Sequence, residues 1–198
     1  MNYPPGVKPF VVEKTAKVNP KRRNNTILAG NRGMSFEEDI NESNAYYEQH
    51  GLCLITKRPT PINVVKVDYS RGAMITKAYF QTQSTTDYNG VCEGRYIDFE
   101  AKSSRNKTSF PLANIPLQQI AHLESVLKQG GIAFFLIHFE LLKKTYLVPA
   151  KEIISFYKEH TRSSMTISFI EEKGRLVPEG FAPRYDYLPI VKELFFAK

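Results

Sequence analysis

Between Gly130-Gly131 and Glu140 runs the longest apolar stretch of the chain, Ile132–Phe139, with His138 inside it. It falls far short of the ~20 residues that cross a bilayer, and its length suits a buried strand. Thr145–Val148 reads as its hairpin partner. A helical pattern from Asn114 to Gln129 precedes it, with Leu117, Ile120, Leu123 and Leu127 on one face and the paired glycines as its stop. Earlier in the chain, Ser35 and Glu38 form a capping-box signature for a helix carrying Phe36, Ile40 and Tyr47, which Gly51 ends. Leu52–Thr56 and Tyr96–Lys102 read as strands. Ile62–Asp68 and Ala73–Phe80 read as a hairpin across Tyr69-Ser70-Arg71-Gly72. Helices are predicted at Ala150–His160 and Leu188–Phe196, and Met165–Ile170 reads as a late edge strand. Strands and helices interleave, which predicts an α/β fold with a mixed central sheet flanked by helices.

At 198 residues, one core-forming domain is expected. The charge is unevenly placed. Residues 1–31 hold Lys8, Lys14, Lys17, Lys21, Arg22 and Arg23 against Glu13 alone, and so carry most of the formal +7. They also hold Pro4, Pro5, Pro9 and Pro20, so the segment reads as a basic flexible arm ahead of a domain spanning 32–198. Such an arm suits phosphate tracking, and equally an inert solvated tail. The N-terminus lacks the apolar segment of a signal peptide. Cys53 and Cys92 show no metal-ligand spacing and read as free thiols of a reducing cytosol. His50, His122, His138 and His160 likewise read as core or surface residues.

The sharpest chemical feature is Asp87 followed, thirteen residues on, by Glu100-Ala101-Lys102. In a strand, residues i and i+2 share a face, so Asp98, Glu100 and Lys102 project together while Phe99 and Ala101 point into the core. An Asn89-Gly90 turn is expected to return the chain and bring Asp87 beside Glu100. Two carboxylates and a backbone carbonyl form a hard oxygen site suited to Mg²⁺, and equally to Mn²⁺. A metal there lowers the pKa of bound water, and Lys102 can orient the attacking hydroxide and offset charge on the phosphorus. The same charges also fit an edge strand bearing surface salt bridges, except that unpaired charges on an apolar strand are costly. Glu171-Glu172-Lys173 shares the spacing, but it runs into Gly174 with no aspartate close upstream, and reads as a solvated turn.

These residues resemble the Asp…(Asp/Glu)-x-Lys nuclease superfamily. More specifically, the chain is similar to the RecU-type Holliday junction resolvases of Gram-positive bacteria. The matching blocks are Asn31-Arg32-Gly33-Met34, Lys57-Arg58-Pro59-Thr60-Pro61, Ser84-Thr85-Thr86-Asp87-Tyr88-Asn89-Gly90, Gly94-Arg95-Tyr96-Ile97-Asp98-Phe99-Glu100-Ala101-Lys102, Asn106-Lys107-Thr108-Ser109-Phe110-Pro111-Leu112 and Ala182-Pro183-Arg184. They span nearly the whole chain, in the family's order. Threonine stands where the superfamily often has proline before its first acid.

The resemblance implies a restriction-endonuclease-like core and a magnesium-dependent, cytoplasmic endonuclease. It would act as a homodimer on four-way DNA junctions, nicking two strands symmetrically. It implies metal ligation by Thr85, Asp87, Glu100 and Gln119, with Lys102 stabilising the transition state. Without the family, Thr85 reads as a turn residue and Gln119 as an exposed helix glutamine. The hairpin Ile62–Phe80 matches the family's projecting stalk, with Arg71 at its tip and Lys66 and Lys77 along its arms. Arg32 and Lys107 are further phosphate candidates. Strand annealing and contact with the recombinase and branch-migration machinery are also associated with the family. Two rivals stand: a restriction-like duplex endonuclease, and a non-catalytic basic DNA-binding or annealing protein.

Overall fold

The computed structural model describes residues 32–80, 85–159 and 162–196, with the side chains of 32–34 left aside. The basic arm, His160 and the side chain of Arg32 therefore lie outside the described residues.

A six-stranded sheet forms the centre. It comprises β1 (Leu54–Lys57), β4 (Tyr88–Cys92), β5 (Arg95–Ser104), β7 (Ile132–Phe139), β8 (Lys144–Pro149) and β10 (Arg175–Leu176), in the order β1-β4-β5-β7-β8-β10. Only β5 and β7 run parallel, and α2 (Leu117–Lys128) lies between them in sequence as the crossover such a pair requires. The other pairs are antiparallel, so the sheet is mixed, as the interleaving predicted.

β7 explains why this strand had to be central. Ile132, Phe134 and Leu136 enter one core cluster, with residues of α1 (Arg32–Gln49) and α5 (Leu188–Phe195). Ala133, Phe135, Ile137 and Phe139 enter the other, with α2, α3 (Ala150–Glu159) and α4 (Ile167–Lys173). A strand covered on both faces reads as a continuous apolar run. β5 departs from this pattern. Ile97 and Phe99 face the first cluster, while the alternate residues Asp98, Glu100 and Lys102 face α2, where the sheet would otherwise be apolar.

Several boundaries differ from the expectations. α1 starts at Arg32, so Ser35 lies inside its first turn and does not cap it. Met165–Ile170 is not one strand. β9 (Ser164–Thr166) pairs with β6 (Ser109–Pro111), and the Thr166 hydroxyl then accepts a hydrogen bond from the Phe169 amide at 3.2 Å, capping α4. Glu171-Glu172-Lys173 closes that helix instead of forming a turn. On α2 the buried face is Gln119, Ile120, Leu123 and Val126, whereas Leu117 is exposed. Arg184 pairs with Asp39, and Asp186 accepts from the Tyr47 hydroxyl.

The free-thiol expectation is overturned: Cys53 and Cys92 are joined as a disulfide. Leu54 pairs with Val91, so the two cysteines fall one step further along the same ladder, with Cα atoms 4.6 Å apart. Thirty-nine residues of separation hide that adjacency in the sequence.

The turn before Glu100 is also elsewhere. Asn89-Gly90 lies within β4, and the chain reverses at Glu93-Gly94, where both residues have positive φ, 48° and 77°. Gly90 answers to a different constraint: a Cβ there would lie 2.0 Å from the Leu54 carbonyl oxygen of β1. Gly90→Ala is therefore expected to push β1 off β4 and lower stability by roughly 1–3 kcal/mol, the usual cost of overpacking. Urea unfolding of the variant measures this, and an unchanged midpoint would contradict it.

β2 (Ile62–Asp68) and β3 (Met74–Phe80) form a two-stranded sheet of their own, as predicted. Nearly every residue of this hairpin is exposed, including Val65, Tyr69, Tyr79 and Phe80, the last at 82%.

Candidate active site

Asp87 precedes β4, and Tyr88 pairs with Phe99 across the β4–β5 ladder. That register brings the acid beside Glu100. The Asp87 amide donates to Glu100 Oε2 at 3.0 Å, and Asp87 Oδ2 accepts from the Ala101 amide at 3.2 Å. Glu100 is 1% exposed. Its Oε1 accepts from Gln119 Nε2 at 2.6 Å and meets Lys102 Nζ at 2.6 Å. Burial pushes the Glu100 carboxyl up to about 7, the neighbouring Asp87 charge adds to this, and Lys102 and Gln119 act in the opposite direction.

Thus Asp87, Glu100, Lys102 and Gln119 come together, and Thr85 lies two residues before Asp87, half-buried. Gln119 is buried, contrary to the exposed-glutamine reading, and its Oε1 has no hydrogen-bond partner. A buried, unpaired amide oxygen is costly. The donors available here, two carboxylates, an amide oxygen and a threonine hydroxyl, are the hard oxygens that Mg²⁺ or Mn²⁺ takes. A divalent cation would also relieve the repulsion between the two carboxylates. Among the described residues no three His, Cys, Asp or Glu side chains cluster as a metal site, so a cation held here would need neutral oxygens beside the two carboxylates.

One feature of the site was only half visible in the sequence. Asp98 is fully buried and makes four side-chain contacts. Its Oδ1 accepts from the Thr86 hydroxyl. Its Oδ2 accepts from Arg58 Nη2 at 2.7 Å and Tyr96 OH at 2.8 Å, and lies 2.9 Å from His122 Nε2. The sequence placed Asp98 on the charged face of β5, but nothing local pointed to Arg58, Thr86 or His122.

The cations expected to meet phosphate lie elsewhere. Lys66 and Lys77 face each other across β2 and β3 beside a register shift, with Arg71 at the exposed tip. Lys77 Nζ lies 5.5 Å from the centre of the Tyr79 ring. Lys107 is exposed in the loop after β5. Like charges directly opposed on a hairpin are unfavourable without an anion.

A mixed sheet whose central strands bring two carboxylates and a lysine together beneath a crossover helix matches the class of Asp…(Asp/Glu)-x-Lys nucleases. The chain belongs to the RecU family: the family model described as "RecU: Recombination protein U" matches residues 31–193. A relative from Streptococcus thermophilus (strain LMD-9), named Holliday junction resolvase RecU, is 46% identical over 197 residues, 98% of this chain and 97% of its own length. A relative of the same name from Bacillus cytotoxicus is 49% identical over 173 residues, 85% of this chain and 86% of its own. A third, from Geobacillus sp. (strain WCH70), is 46% identical with the same coverage.

Proposed function

We propose that this chain is a magnesium-dependent endonuclease that resolves four-way DNA junctions by paired symmetric nicks during recombination and repair. The observation that carries the reading is the orphaned Gln119 oxygen, buried beside two carboxylates that repel one another. Family membership supplies the substrate, since the curated relatives are named Holliday junction resolvases.

In this reading Thr85, Asp87, Glu100 and Gln119 hold the cation. When bound, it supplies an activated water and offsets charge on the phosphoryl group. Lys102 sits against Glu100 with its side chain only 19% exposed. From there its ammonium orients the attacking water and stabilises the charge growing on the phosphate oxygens, where sparse solvent strengthens the interaction. The two anionic ligands would balance the Mg²⁺ charge, and the Lys102 ammonium beside Glu100 tips the site positive toward a phosphodiester.

Residues 32–198 form the nuclease domain, and the 1–31 arm tracks phosphates. The hairpin enters the junction, with Lys66, Arg71 and Lys77 on phosphates and Tyr69, Tyr79 and Phe80 against splayed bases. Arg32 and Lys107 add phosphate contacts from the body. The exposed aromatics also suit strand annealing, and the same protein would meet the recombinase and the branch-migration machinery. A homodimer presents two active sites to two symmetric strands. The compartment is the cytoplasm, because the DNA is there; no helix among the described residues is long and apolar enough to cross a membrane.

The test is junction cleavage by wild type and Asp87→Asn across a Mg²⁺ titration. Metal-dependent cutting that the variant loses supports the proposal. Binding without cutting in both proteins leaves the DNA-binding rival. For the hairpin, Lys66→Ala with Lys77→Ala is expected to weaken junction binding and to reduce the salt dependence by about two phosphate contacts. A salt titration of junction affinity reads this, and an unchanged slope would remove these lysines from the interface.

A further inference from the structure

The four candidate ligands come from three pieces of chain: the segment before β4, the middle of β5, and α2. The buried carboxylate of Asp98 touches all three. It accepts from Thr86, which stands between Thr85 and Asp87. It stands on β5 two residues before Glu100, on the same face. It meets His122, which lies one helical turn after Gln119 on α2.

Arg58 reinforces the first of these ties. Its Nη1 donates to Thr86 Oγ1 at 2.7 Å and to the Thr86 carbonyl at 3.4 Å, its Nη2 donates to Asp98, and its backbone amide donates to the Asp87 carbonyl at 2.7 Å. The ligand-bearing segment is thus held by both the backbone and the side chain of one residue.

Stability alone does not account for this arrangement. The neighbouring positions facing α2 from β7 are Ala133, Phe135 and Ile137. Apolar residues at Asp98, Thr86 and His122 would pack that layer, and replacing a buried ion pair by well-packed apolar groups is often neutral or stabilising. A buried charge with four directed partners fixes relative position in a way that apolar packing does not. We infer that Asp98, braced by Arg58, is the positioning residue that holds the ligand-bearing segments in register, so that Thr85, Asp87, Glu100 and Gln119 converge on one cation. This rests on the metal-dependent reading of the site. Asp98 acts through Thr86 and His122 and is not itself a ligand.

The test uses the full chain with Mn²⁺ alone as probe, its affinity read by electron paramagnetic resonance, alongside the Mg²⁺ concentration giving half-maximal junction cleavage. Asp98→Asn keeps the shape but cannot accept all four hydrogen bonds. It is expected to weaken Mn²⁺ binding about tenfold and to raise the Mg²⁺ requirement equally, with junction affinity unchanged. Should Asp98→Asn fail to fold, Thr86→Val decides: it removes one hydroxyl at constant volume and is expected to shift both metal readouts the same way. Thr86→Ser, which restores the hydroxyl, should bring them back within about twofold of wild type.

Variants that melt earlier yet keep wild-type Mn²⁺ affinity and Mg²⁺ requirement would overturn the inference, leaving the cluster a structural one. If wild type itself binds no Mn²⁺ and cuts nothing with Mg²⁺, the metal-dependent reading fails, and this inference falls with it. The wild-type control separates the two failures.

Discussion

Lys102→Ala is expected to slow junction cleavage by about 10²–10³-fold, the loss seen when one preorganised transition-state donor is removed. Junction binding should change little, because Lys102 is largely buried against Glu100 and does not belong to the exposed cations of the hairpin. The chain supplies its own control. Lys173 completes the same Glu-x-Lys spacing, but it sits at the end of α4 with Glu172 as its ion-pair partner. Lys173→Ala is expected to cut at the wild-type rate. Single-turnover cleavage of a labelled junction by the two variants decides the matter. Equal rates for Lys102→Ala and wild type would remove Lys102 from the chemical step.

The largest expected effect on stability is at Phe99. Its ring stacks on Tyr88 at 4.8 Å and on Phe134 at 4.6 Å, and meets Tyr187 edge-on at 5.5 Å. It therefore ties β4, β5 and β7 to the segment leading into α5, and it is fully buried. Phe99→Ala is expected to cost about 3–5 kcal/mol, from lost burial and the cavity left behind. Denaturant unfolding measures this. A loss below about 1 kcal/mol would mean that the aromatic stack collapses to fill the space.

The same residue shows why much of the fold was legible. Alternation along Tyr96–Lys102 placed Phe99 inward and Asp98, Glu100 and Lys102 together, and β5 keeps that division. Ile132–Phe139 was long and apolar enough to name a central strand, and Ile62–Phe80 had a hairpin's composition whether or not it joined the main sheet. Local pattern sufficed in these cases.

It failed where the deciding partner lay far along the chain. Cys53 and Cys92 looked like separate thiols until β1 paired with β4. Gly90 looked like a turn glycine, yet the Leu54 carbonyl is what leaves no room for a side chain. Met165–Ile170 had a strand's composition, but the Thr166 hydroxyl caps a helix within it. The candidate site divided in the same way. Asp87, Glu100 and Lys102 could be picked out by type and spacing. Gln119 needed the family, because its burial depends on α2 lying over β5. Arg58, Thr86 and His122 were missed as parts of the site, since only the folded chain brings them to Asp98.

The most direct test is to incubate wild type with Mg²⁺ and either a mobile four-way junction or the matching linear duplex, each strand labelled in turn, and to map the cuts. Symmetric nicks in two opposed strands of the junction, with the duplex intact, are the predicted result. Equal cutting of the duplex, or bound junction with every strand intact, would contradict it.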